Sequence, residues 1–225
     1  MQEHTDAALE SRMLHRLVFF TDAVFAIVLT LLVLELRPPE VRDAEGPTHA
    51  FMEMGPHFLA FFMSFGLIAI FWAAHMNSTR RLIHFDWPSA WVNLLFLFPI
   101  CLIPFASAWF GAGLGDPFIW GVYCAVLTAT SVGNVVLVLV VSRGRGRLLD
   151  GGMTTVQKVY RVVRAAVPGI AFGIGLILLT TRQYRLAQFC WLAIPLMFLA
   201  IEILLKPRAR PATTPVEAQP GSRPA

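Results

Sequence analysis

Apolar residues in this chain fall in long uninterrupted blocks, separated by short polar or charged connections. A helix needs about 20 mostly apolar residues to cross the hydrocarbon of a bilayer. Six blocks qualify: Leu17–Leu36, Pro56–His75, Trp87–Trp109, Pro117–Val141, Val159–Leu179 and Leu186–Leu205. Strands of a closed barrel would alternate apolar and polar over about ten residues, and these blocks do not. The pattern therefore predicts an all-α polytopic membrane protein with six transmembrane helices. Residues 1–16 form a cytoplasmic N-terminal arm, residues 17–206 the six-helix membrane domain, and residues 207–225 a tail rich in Pro, Ala and Thr that is expected to be disordered.

Composition sharpens this picture. Hydrophobic residues make up 56% of the 225 residues and charged ones 14%, with a mean hydropathy of +0.65. A soluble domain carries about 25% charged residues. An ordinary soluble enzyme, a disordered chain and a secreted disulfide scaffold are excluded. Of the 18 Lys and Arg, 14 lie on one side: in the arm, the second-to-third and fourth-to-fifth connections, and the tail. Positive charge collects on the cytoplasmic side, so both termini are expected there. The opposite connections hold Glu35, Glu40, Asp43, Glu45, Glu53 and Asp116 against Arg37, Arg42, Arg182 and Arg185. The basic flanks read as topology and attraction to anionic headgroups, so the bilayer is a partner and nucleic acid is not. Cys101, Cys124 and Cys190 all lie inside spans without metal-type spacing, and read as small packing residues. The first block is too long for a signal peptide and lacks a small-x-small cleavage site, so it is expected to remain in the mature protein. Gly169 and Gly173 make a small-x-x-x-small surface suited to close helix packing.

The first span carries the unusual chemistry. Asp22 stands about a turn and a half inside it, where a carboxylate needs a partner or water. Helical spacing aligns Ile27, Thr30, Leu31 and Leu34 on one stripe, and Asp22 on a different face. Such a stripe is packing or pore lining, and spacing does not separate the two. Trp72 and His75 share a face near the end of the second span, on the side where Asp22 sits. An indole N–H and an imidazole suit a buried carboxylate and the Thr21 hydroxyl. Asp22 is thus either a proton-binding group or a member of a static network with Thr21, Trp72 and His75. Arg16 is either a positive-inside anchor or bonded in that neighbourhood. No second ligand stands at metal spacing from His75.

Arg16-x-x-x-Phe20-Thr21-Asp22 resembles the Arg-x-x-x-Phe-Ser-Asp signature of the transmembrane protein 175 family of potassium channels. The continuation Ala-Val-Phe-Ala-Ile-Val-Leu-Thr-Leu-Leu-Val-Leu-Glu, the Phe71-Trp72 pair with His75, and Asn93 ahead of Pro99 and Pro104 are similar to that family's pattern. Thr21 departs from the usual Ser but keeps the hydroxyl. A six-span chain resembles the prokaryotic members, which correspond to one repeat of the two-repeat lysosomal protein. The resemblance implies a homotetramer in a bacterial plasma membrane, around a central pore lined by the first helix. It implies a main hydrophobic constriction at Ile27, a hydroxyl layer at Thr30, a further apolar layer at Leu34, and pore exposure of Leu31. It places Arg16, Phe20, Thr21, Asp22, Trp72, His75 and Asn93 in the structural motif.

In such a pore, apolar side chains would gate by dewetting, and hydroxyl oxygens would contact a partly dehydrated cation. Potassium is then the permeant ion, held only transiently near Thr30, with no cofactor and no bound metal. The alternative is a proton-coupled secondary transporter that uses Asp22. Such transporters usually show internal repeats and broken helices. No nucleophile–base pair, metal cluster or cofactor loop points to an enzyme.

Overall fold

The structure, a computed structural model, describes residues 2–39, 46–79, 82–83, 86–143, 148 and 153–205. The tail 207–225 lies outside the described residues, as do Glu40, Arg42, Asp43 and Glu45 of the first outer connection. The chain forms α1 (Gln2–Leu34), α2 (Gly46–Glu53), α3 (Gly55–Thr79), α4 (Trp87–Ala112), α5 (Pro117–Val141), α6 (Thr155–Thr180), α7 (Tyr184–Ala187) and α8 (Ala193–Leu205). Six helical segments are long and apolar enough to span a bilayer, and they coincide with the six apolar blocks.

Local sequence explains the helix starts. Asp86 caps α4 by accepting from the Ser89 backbone N–H at 3.0 Å, with Pro88 in the first turn. Asp116 caps α5 through the Phe118 and Ile119 N–H groups, with Pro117 next in line. Thr154 and Gln157 close a reciprocal capping box on α6. In each case a side-chain oxygen satisfies a backbone donor that the first helical turn leaves open.

Three features depart from the block pattern. The N-terminal arm is helical and continuous with the first span, because nothing between Gln2 and Leu34 breaks the helix. At 1.5 Å per residue α1 is about 50 Å long, some 20 Å more than the hydrocarbon is thick. The first outer connection contains the short helix α2, which packs Phe51 against Phe58 of α3 at 5.4 Å between ring centroids. The sixth span is interrupted: α7 gives way to a 3₁₀ turn at Cys190–Leu192 before α8 begins. Pro195 sits in the first turn of α8, where its missing N–H has no intrahelical acceptor to lose.

The bundle is centred on α4 and α5, which pack on each other and, through α5, on α6. Half or more of the apolar window is buried in α4 and α5, against 22% in α1 and 17% in the sixth span. Phe96, Ile100, Ile103, Trp120, Tyr123 and Phe172 fill the centre. Close approach explains two glycines. A Cβ on Gly133 would stand 3.1 Å from the Phe96 Cα, and one on Gly169 only 2.7 Å from the Ser131 hydroxyl oxygen. Gly173 has nothing within 4 Å, so of the expected small-residue pair only Gly169 makes a close contact within the chain. Cys124 and Cys190 are buried, whereas Cys101 is on the exposed face rather than in the packing.

Candidate functional site

α1 has two unlike faces. Leu14, Thr21, Phe25, Val28 and Leu32 recur at helical spacing and are buried against α3 and α4. The opposite face is turned away from the bundle. Ile27 is 57% exposed, Leu34 69% and Leu31 40%, with Thr30 beside them. An apolar helix face with no partner among the described residues needs lipid, a second chain or a dewetted passage against it.

Thr30 has a specific geometry on that face. Its hydroxyl donates to the Ile27 carbonyl at 2.8 Å. The proton is therefore held by the helix, and the oxygen lone pairs remain as acceptors on the exposed side. An oxygen so presented suits a cation.

The buried face carries a directional hydrogen-bond chain. Thr21, fully buried, donates to the Leu17 carbonyl at 2.9 Å. Its oxygen then accepts from Asn93 Nδ2 at 2.8 Å. This orients the Asn93 amide, whose Oδ1 lies 2.9 Å from His75 Nε2. His75 must donate from Nε2, since Oδ1 has no proton to give. The chain thus ties α1 to α3 through α4. His75 is 2% exposed and stacks on Phe96 at 5.9 Å and 8°, with Phe25 also against it. Asp22 is bonded apart from this chain: Trp72 Nε1 donates to its Oδ1 at 3.0 Å.

The structure therefore joins Thr21, Asn93 and His75 in one cluster and Asp22 with Trp72 in another. It does not bring Arg16 or Phe20 to either. Both lie on the exposed side of α1, where Phe20 is 49% exposed and shares the stripe of Ile27. Asp22 is also on the exposed side of its single chain rather than enclosed by it, because its helix position falls beyond the buried stripe.

The pattern of apolar blocks hid a second polar cluster. Arg164 of α6 pairs with Glu202 of α8, and Tyr160 donates to Glu202 at 2.6 Å. Arg164 also lies over the Phe198 ring, 5.4 Å from its centroid. The charge tally assigns Arg164 to a connection, although it lies inside the Val159–Leu179 block and in the third turn of α6. Glu202, a lone carboxylate in an apolar block, was the available signal, by the same rule that singles out Asp22.

Residues 16–104 match the family model described as endosomal/lysosomal potassium channel TMEM175. A potassium channel of Chryseobacterium sp. (strain P1-3) is 29% identical over 180 residues, which is 79% of this chain and 91% of that one. Over residues 16–104 the chain is similar to the TMEM175 family. A potassium channel of Streptomyces collinus is 32% identical over 93 residues, 41% of this chain and 45% of its own. The fold agrees as well. A solved structure of a lysosomal potassium-selective channel TMEM175 homolog from Chamaesiphon minutus superposes with a TM-score of 0.71 at 21% identity, covering 84% of this chain and 98% of that one. The TMEM175 match spans α1, α3 and most of α4, and so contains the Thr21–Asn93–His75 chain, the Asp22–Trp72 bond and the exposed stripe.

Proposed function

We propose that this protein is a potassium-permeable channel that conducts passively through a pore built by four copies of the chain. The observation that carries the proposal is the stripe Ile27, Thr30, Leu31 and Leu34, turned away from its own bundle on a helix held from behind by polar bonds. Four such stripes around an axis would close an apolar constriction at Ile27. They would set a ring of hydroxyl oxygens at Thr30 and a second apolar layer at Leu34. Dewetting closes such a passage, and a small outward turn of the helices hydrates it. Dehydration costs K⁺ less than Na⁺, so contact with the Thr30 oxygens favours K⁺ without a carbonyl filter. Thr21, Asp22, Trp72, His75 and Asn93 hold α1 in register. Potassium passes without a resident metal or cofactor, and the reading assigns no catalysis.

The Chryseobacterium and Streptomyces relatives are named potassium channels, which supports this reading over a proton-coupled transporter. The lopsided distribution of Lys and Arg supports both termini in the cytoplasm, and the single six-span length supports a bacterial plasma membrane. Cysteine accessibility tests the proposal. Ile27→Cys in a reconstituted channel should make flux sensitive to Cd²⁺, with the wild type and its three native cysteines as control. Insensitivity in an Ile27→Cys protein that conducts would move the stripe out of the pore and into lipid.

A further inference from the structure

Cys124 and Cys190 come from distant parts of the chain and meet in the core. Cys124 lies on α5 and is 0% exposed. Cys190 opens the 3₁₀ turn that interrupts the sixth span and is 8% exposed. A Cβ on Gly175 of α6 would stand 2.9 Å from Cys190 Sγ and 3.4 Å from Cys124 Sγ. Both sulfurs therefore press on one point of α6, and glycine there leaves the room in which they meet. The Cys124 thiol donates to the Cys190 sulfur. Cys101 is on α4, on the exposed face.

The pair has a defined depth in the bundle. Cys124 is two turns into α5 from Pro117, about 10 Å along the helix axis. The distribution of Lys and Arg puts the Pro117 end on the outer side. Disulfides persist on the outer side of a bacterial plasma membrane and are reduced on the inner side.

The surroundings give a cross-link something to hold. Trp120 Nε1 of α5 donates to the Ala187 carbonyl of α7 at 2.9 Å. Beyond α7 the sixth span gives up α-helical geometry over Cys190–Leu192. A thiol is a weak donor, so the contact from Cys124 adds little to that indole bond. A covalent bond between the sulfurs would fix the broken turn to α5.

We propose that Cys124 and Cys190 are a dithiol that a small hydroperoxide oxidises to a disulfide, latching the broken turn of the sixth span to α5. Cys190, the less buried thiol, would take one oxygen from hydrogen peroxide as the O–O bond breaks, giving a sulfenic acid and one water. The Cys124 sulfur would then displace that oxygen, forming the S–S bond and releasing a second water. The two thiols give up two electrons and two protons, and the peroxide takes both.

The test uses the full chain in detergent micelles, treated with hydrogen peroxide. The protein is then unfolded in detergent and labelled with a polyethylene-glycol maleimide, which shifts a gel band once per free thiol. Untreated wild type should take three labels, one for each cysteine. Peroxide should leave one label and remove the mass of two hydrogens from the intact chain, and dithiothreitol should restore all three. The oxidised chain should also melt several degrees above the reduced one. Cys101→Ser keeps the pair and should go from two labels to none, as a single chain on a non-reducing gel. Gly175→Ala keeps every thiol but sets a methyl against both sulfurs, and should retain its labels under the same treatment. If Gly175→Ala folds poorly, wild type and Cys101→Ser still decide the matter. Two labels surviving on peroxide-treated Cys101→Ser would overturn the latch. So would labels lost with a gain of oxygen instead of a loss of hydrogen. Label loss as complete in Gly175→Ala as in wild type would overturn the meeting point at α6.

Discussion

Asn93→Leu is the most informative single change in the polar core. Leucine matches asparagine in size and leaves α4 intact, so the perturbation is confined to two hydrogen bonds. One joins Asn93 to Thr21 of α1 at 2.8 Å and the other joins it to His75 of α3 at 2.9 Å. Interhelical hydrogen bonds in membrane proteins average about 0.6 kcal/mol and reach about 1.7. Two of them give about 1–3 kcal/mol. The Thr21 proton still finds the Leu17 carbonyl, so only the His75 N–H is left buried without an acceptor. That orphan alone costs about 1–3 kcal/mol, which puts the expected loss near 2 kcal/mol. Removing the orphan as well should return part of the loss. Phenylalanine at position 75 would keep the stack on Phe96, so Asn93→Leu with His75→Phe should be more stable than Asn93→Leu alone. Unfolding in mixed micelles, followed by tryptophan fluorescence at fixed protein concentration, measures both differences. An Asn93→Leu protein as stable as wild type, or a double variant no better than Asn93→Leu, would refute the directional chain.

Thr30→Ala should lower K⁺ preference with assembly intact, seen as a shift in reversal potential under K⁺/Na⁺ bi-ionic conditions. Trp72→Phe removes the only bond described for Asp22 and should destabilise the chain by about 1 kcal/mol, read in the same micelle assay. Gly169→Val meets the Ser131 oxygen at 2.7 Å and Cβ at 2.8 Å, and should cost about 1–3 kcal/mol through overpacking of α5 on α6. A Gly169→Val protein that melts with wild type would show that α6 moves freely off α5.

Membrane helices announce themselves because the bilayer demands length and apolarity together, so all six spans were legible as blocks. The break in the sixth was not, because hydropathy does not register backbone geometry. Pro195 was its one visible mark. α2 escaped for the opposite reason, being too short and too mixed in composition to stand out. In the first span, the separation of the stripe from Asp22 followed from 3.6-residue spacing, and the exposure of Ile27 and Leu34 agrees with it. The division of partners did not follow. Spacing on α3 puts Trp72 and His75 on one face, but only the tertiary packing sends Trp72 to Asp22 and His75 to Asn93. The Arg164–Glu202 pair was hidden because Arg164 was counted among the connection charges although it lies inside the Val159–Leu179 block.

The central claim, a passive cation pathway narrowed at Ile27, is tested most directly by K⁺ efflux from liposomes holding the purified protein, wild type beside Ile27→Asn. A hydrated ring should conduct better than a dewetted one, so the account predicts downhill flux without a proton gradient and a larger flux from Ile27→Asn. No flux from either protein in verified tetramers, or flux that appears only with a proton gradient, would contradict it.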